Sequence, residues 1–223
     1  IRQPLKMIRQ IIKKENIATI FHSHITQAIG KVSVNFHDVD LASMSAHKIL
    51  GPKGIGFLYK SSMIKITPLL YGSGKTNYLN PGTPRLPLIA ALSKSVRLAN
   101  NDLEKRERFI SLLNEKIINS LSKYPNIKIN KTKYSIPHIL NISVLNVMPE
   151  TLIHALDKHE IYLSTNTACA SGESSSSVMA VYNDTKRAKH TIRISLSHVT
   201  TTEEINKFLT VFKDEYEKLS SVK

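Results

Sequence analysis

The sequence predicts an α/β protein in two parts, with an α/β portion over residues 1–102 and a smaller α+β portion over 103–223. Three observations carry this. The first part runs helix, strand, strand, with glycine–proline punctuation between the strands, an order that suits a layered α/β unit rather than a helical bundle. A long helical repeat from Pro87 to Ser122 slips phase at Asn100–Asn101, which marks the boundary. Beyond it, short strand-like runs alternate with amphipathic helical runs, as in helices packed on a small sheet.

Taken in order, Leu5, Ile8, Ile11 and Ile12 recur at helical spacing. IATIF (17–21) reads as a buried strand, 22–31 as a loop leading into a turn, and LASMS (41–45) as a second strand. GPKG (51–54) is a turn and IGFLY (55–59) the strand after it. Residues 71–85 form a long turn-rich stretch, a kind of segment that is usually functional or disordered. HILNISV (138–144) reads as a strand and Pro149–Lys158 as a helix with proline in its first turn. IYL (161–163) and the alternating IRISLS (192–197) read as strands, and 165–178 as an exposed, poorly packed loop. Thr201 and Glu204 form a capping box for a last helix burying Ile205, Phe208, Leu209, Phe212 and Tyr216.

Composition narrows the function classes. Hydrophobic residues at 41% and charged residues at 22% describe a globular protein. No apolar run reaches the roughly 20 residues that span a bilayer, and the charged start shows no signal peptide. One cysteine excludes an intramolecular disulfide, no Cys/His cluster has zinc spacing, and a reducing cytoplasm is the simplest compartment. The net charge is +14, but the cations are spread rather than blocked, and TKRAKH (185–190) is the single compact basic run. No nucleic-acid motif accompanies it, so direct nucleic-acid binding is not expected.

Two segments carry chemistry. In SAHKILGPKGIG (45–56), Lys48 stands at a strand end beside His47 and before a tight glycine turn. That is where a Schiff-base lysine belongs, held so that its amine can lose a proton and meet a carbonyl. Cys169 lies in LSTNTACASGESSSS (163–177), a small, polar, glycine-containing stretch. A free cysteine is most often a small buried hydrophobe. This setting instead exposes the thiol, as a mobile nucleophile requires.

Together, SAHKILGPKGIGFLY, TACASG, FHSHITQAIGK (21–31), PGTP (81–84) and IRISLS resemble the class V aminotransferases, and within them the NifS/IscS-type cysteine desulfurases. The resemblance covers essentially the whole chain. It implies a fold-type I PLP-dependent transferase: a partial large domain with a mainly parallel sheet, then a C-terminal α+β small domain bearing the cysteine loop. It implies pyridoxal 5'-phosphate as cofactor, L-cysteine as substrate and no metal. Lys48 would be the Schiff-base lysine, with His47 near cofactor and substrate. Ser45 would bond the phosphate and Gln27 the ring hydroxyl, and Thr83 would reach the phosphate across a homodimer interface. Arg193 would clamp the substrate carboxylate through its planar fork. Cys169 would accept the sulfur as a persulfide and pass it to an acceptor protein, a tRNA sulfurtransferase or an iron–sulfur scaffold, in the cytoplasm and away from any membrane.

Two departures accompany the resemblance. Members of the family are longer than these 223 residues. The expectation is of an N-terminally truncated chain lacking the family's glycine–threonine phosphate loop, its stacking histidine and an asparagine near the ring oxygen, and so not active alone. The family also places an aspartate three residues before Gln27, against the pyridine nitrogen, where this chain has His24. Two family arginines appear as Asn77 and Asn80. The competing readings are another class V enzyme, such as a selenocysteine lyase, and a catalytically degenerate chain acting as a basic binding module.

Overall fold

The computed structural model describes residues 1–72, 79–165 and 174–221. They divide into two compact units, Arg2–Glu104 and Lys105–Lys223.

The first unit opens with α1 (Leu5–Glu15). It continues through β1 (His22–His24), a 3-10 turn at Phe36–Asp38, β2 (Leu41–Ser45), a second 3-10 turn at Ala46–Ile49, β3 (Gly56–Lys60) and α2 (Leu86–Asn100). The strands lie in the order β1-β2-β3. β1 runs parallel to β2 with His24 opposite Ser43, and β2 runs antiparallel to β3 with Ser45 opposite Gly56. The sheet of this unit is therefore mixed, one parallel and one antiparallel pair, rather than mainly parallel. Ala42 and Met44 of β2 turn into a core shared with Ile25, Ile29, Val39, Ala46, Ile49, Leu92 and Ala99. Their neighbours Ser43 and Ser45 face the other way, as strand alternation demands.

The expected strand over 17–21 does not form. Lys13 donates to the carbonyls of Ile17 and Thr19, and the Asn16 side chain accepts from Ala18 N–H. These local bonds hold the run as a connection, leave Ile17 and Ile20 exposed, and delay pairing to His22. The expected loop start at 22 is consequently strand. What fastens α1 is polar. The buried Asp40, next to β2, accepts from Arg9, from Lys13 and from the Phe21 N–H. Burial raises the Asp40 pKa, but the Lys13 hydrogen bond, the Phe21 N–H and the two cationic charges outweigh it, so the carboxyl titrates below its usual range.

The second unit holds most of α3 (Leu103–Leu121), then β4 (Ile127–Asn130), β5 (Ile139–Val144), α4 (Pro149–Asp157), α5 (Ser176–Tyr182), α6 (Thr185–Lys189), β6 (Thr191–Ser195) and α7 (Thr202–Ser221). Its sheet is antiparallel, β4-β5-β6. One core cluster joins α3, α4 and α7 to it, centred on Ile117, Ile142, Leu152, Leu156, Ile192 and Phe212. The capping box closes as expected: Thr201 N–H donates to Glu204 Oε2 at 2.7 Å and Glu204 N–H to Thr201 Oγ1 at 3.1 Å.

Two readings of this unit change, and the basic run acquires a structure. Residues 161–163 are not a strand; the chain makes a single bridge to β6 at Ser164–Arg193. The expected loop over 165–178 gives way at Ser176 to α5, whose Val178 is buried. The basic run at 185–190 is largely helix α6, capped by Asp184. Its Arg187 turns inward, donating to the Ile129 carbonyl at 2.8 Å and the Asn130 side chain, with its guanidinium 3.5 Å from the Tyr182 ring centroid. Part of the charge of this compact basic run is thus spent inside the fold. Among the described residues, no helix is long and apolar enough to cross a membrane, and no group of three or more His, Cys, Asp or Glu could hold a metal.

Candidate active site

The C-terminal end of β2 sets the site. Past Ser45 the chain tightens into the 3-10 turn Ala46–Ile49. Ala46 and Ile49 are buried and pin the turn, which leaves His47 and Lys48 exposed between them. Leu50 takes the left-handed conformation (φ 59°) that ends the turn. Close backbone approach explains the glycine opposite Ser45: a Cβ on Gly56 would lie 2.1 Å from the Met44 carbonyl oxygen. The glycine-rich sequence after Lys48 therefore lets β3 return tightly enough against β2 to hold the lysine turn in place.

Gln27 and His24 come from the chain leaving β1. Thr26 is buried, and its Oγ1 accepts from Ser45 N–H at 3.0 Å, which ties this segment to the end of β2. Gln27 Oε1 accepts from Lys31 at 2.7 Å. Burial, and then the charge of nearby Lys48, lowers the Lys31 pKa. Lys31 thus meets the Gln27 amide directly and feels the Lys48 charge. His24 and His22 project from β1 on one face, and both rings reach the Ser43 hydroxyl. The structure brings His24, Gln27, Ser45, His47 and Lys48 onto one unit at adjoining positions of β1, β2 and the turns that follow them. Thr26, Lys31 and Ser43 are additions that the motif reading missed. Only Ser43 carried a sequence signal, since it lies two residues before Ser45 on a strand.

Thr83 lies in an exposed segment just before α2, after Gly82, whose φ is 117°. Arg193 belongs to the second unit. Ile192 and Ile194 are buried on either side of it, and its Nη2 donates to Ser164 Oγ at 3.3 Å. Its Nε is buried and has no hydrogen-bond partner among the described residues. An arginine with an unspent inner donor is suited to a carboxylate. Cys169 and Asn77 lie outside the described residues.

The donor set fits pyridoxal 5'-phosphate. An exposed primary amine suits its aldehyde, and the serine and nearby cations suit its phosphate dianion. Gln27 can offer its amide to the ring hydroxyl and His24 an imidazole to the ring nitrogen.

Comparison with known proteins points the same way. The family model described as aminotransferase class-V matches residues 1–208. A NifS/IcsS protein homolog of Lactobacillus delbrueckii subsp. bulgaricus is 35% identical, covering 99% of this chain and 59% of its own length. A cysteine desulfurase IscS of Clostridium botulinum is 33% identical over 94% of this chain and 54% of its own. Among solved structures, a NifS-like protein superposes with a TM-score of 0.81 at 32% identity, covering 98% of this chain and 57% of that one. A NifS-like protein from Rickettsia africae gives 0.80 at 29%, covering 96% and 57%. The chain spans little more than half the length of the relatives it matches.

Proposed function

The chain belongs to the aminotransferase class-V family, and from that membership we propose that it serves a PLP-dependent cysteine desulfurase, converting L-cysteine to L-alanine while Cys169 takes the sulfur as a persulfide. Its relatives carry the name cysteine desulfurase. The observation that carries the reading is the placement of Lys48: exposed, one residue after His47, on a turn pinned by buried Ala46 and Ile49 at the end of β2.

Lys48, Ser45, Gln27 and His24 would hold the cofactor, with His47 beside it and Thr83 contributing from a second copy of the chain. The bound cofactor supplies an aldehyde that captures the substrate amine and a ring that takes up the electron pair left when the Cα proton departs. Arg193 orients the substrate by its carboxylate. Lys48, once free, moves the Cα proton. The Cys169 thiolate attacks the substrate sulfur, so that one S–S bond forms as the substrate C–S bond breaks. Cys169 leaves as the persulfide, and protonation of the remaining carbon gives alanine. The persulfide passes to a sulfur-acceptor protein of tRNA thiolation or iron–sulfur assembly, in the cytoplasm.

The test is colour. The chain mixed with PLP should gain the visible absorbance of a lysine-bound cofactor, and Lys48→Ala should lose it. His24, standing where the family has a carboxylate, favours a second reading, a non-catalytic basic protein. Failure of the wild type to colour would support that one.

A further inference from the structure

The Ser43 hydroxyl is shared by two imidazoles. His22 Nε2 lies 3.0 Å from Ser43 Oγ and His24 Nδ1 lies 3.1 Å from it. The arrangement follows from register: His22 and His24 occupy one face of β1, and Ser43 sits opposite His24 on the parallel neighbour β2. Among the described residues the hydroxyl has no other hydrogen-bond partner. A serine hydroxyl has one proton to give and lone pairs to receive. Between two neutral rings it satisfies both contacts by donating to one and accepting from the other.

Only two such arrangements exist. In one, His22 donates from Nε2 to Ser43, and Ser43 donates to a bare Nδ1 on His24, whose own proton is then on Nε2. In the other, His24 donates from Nδ1 to Ser43, and Ser43 donates to a bare Nε2 on His22. Each arrangement puts the two histidines in the same tautomer: both Nε2–H, or both Nδ1–H. We propose that His22 and Ser43 are positioning residues that tie the tautomer in which His24 would meet the cofactor's ring nitrogen to that of His22. This rests on the PLP reading above. The Nδ1–H arrangement leaves His24 Nε2 bare, so it would accept a hydrogen bond from a protonated ring nitrogen, the form that draws electrons from the substrate. The Nε2–H arrangement offers that nitrogen a donor instead and favours the weaker, unprotonated ring. His22 is coupled to that choice through one hydroxyl.

The experiment is nitrogen-15 NMR of histidine-labelled full chain at about pH 8.5, where an ordinary imidazole is neutral, before and after addition of PLP. Spectra of His22→Gln and His24→Gln assign the two rings. The expected wild-type result is one shared tautomer, with both rings moving to Nδ1–H when PLP binds. Because a single hydrogen bond links them, the His22 tautomer ratio should change about fivefold on PLP addition. Ser43→Ala should abolish that response at His22, and Ser43→Thr, which keeps the hydroxyl on a strand that tolerates it, should restore it. Opposite tautomers in the wild type, or a His22 response that survives Ser43→Ala, overturn the proposal. Failure of the wild type to take up PLP sinks the functional reading and this role with it, whereas normal uptake with unlinked rings sinks the role alone.

Discussion

Replacing Asp40 with Asn should loosen the first unit by about 3 kcal/mol at neutral pH, near the low end of the cost of removing one partner of a buried ion pair. The Asp40 side chain is only 6% exposed and accepts from Lys13 at 2.8 Å, Arg9 at 3.2 Å and the Phe21 N–H at 2.9 Å. Asparagine keeps an oxygen for the Phe21 N–H and Lys13, which share Oδ2, but turns an N–H₂ toward Arg9 and gives up the charge that both cations face. The cost stays at the low end because Lys13 and Arg9 are partly exposed and regain water. In urea, with m of about 1.5 kcal/mol/M for a body of this size, the midpoint should fall by about 2 M. The pH dependence gives the sharper check. The Asp40 carboxyl has a depressed folded pKa, so its contribution is full above the unfolded value near 4 and disappears as pH falls through the folded value. The gap between wild type and Asp40→Asn should therefore narrow below about pH 4. A gap under about 1 kcal/mol at pH 7, or one that is flat down to pH 3, would refute the assignment of α1 anchoring to this carboxylate.

Further outcomes are expected. Gly56→Ala places a methyl 2.1 Å from the Met44 carbonyl and should cost about 3 kcal/mol, the upper end of overpacking penalties; urea unfolding measures it, and PLP uptake should weaken in parallel as the Lys48 turn shifts. Arg187→Ala strands the Ile129 carbonyl and the Asn130 side chain and should cost the second unit about 2 kcal/mol, whereas the exposed Lys186→Ala and Lys189→Ala should be near neutral in the same melt. In a chain extended to the length of its relatives, His24→Asp should raise cysteine turnover by about tenfold or more with PLP content nearly unchanged, read as alanine released per bound cofactor.

Much of this protein was legible because it is local. Helical periodicity and a capping box depend on residues three or four apart, so α7, its Thr201–Glu204 cap and a break between α2 and α3, read at Asn100–Asn101 and found at Asn101–Asp102, are legible in the sequence. The order Ser45, His47, Lys48 and glycine turn is likewise a local pattern, and it marks the site without any knowledge of the sheet. Strand pairing is not local. β1 is three residues long, and its place depends on Lys13 and Asn16 diverting 17–20 and on partners some twenty residues away in β2. No periodicity encodes that, which is why the strand was expected at 17–21. β4, at four residues, is nearly as short, and α5 begins inside the stretch that reads as a loop, where the Ser175 cap and buried Val178 hold it. Only tertiary structure decided which groups meet: Arg187 inside against Tyr182, and His22 and His24 on a single Ser43 hydroxyl. The last of these depends on register, where a slip of one residue would turn both histidines to the opposite face of the sheet.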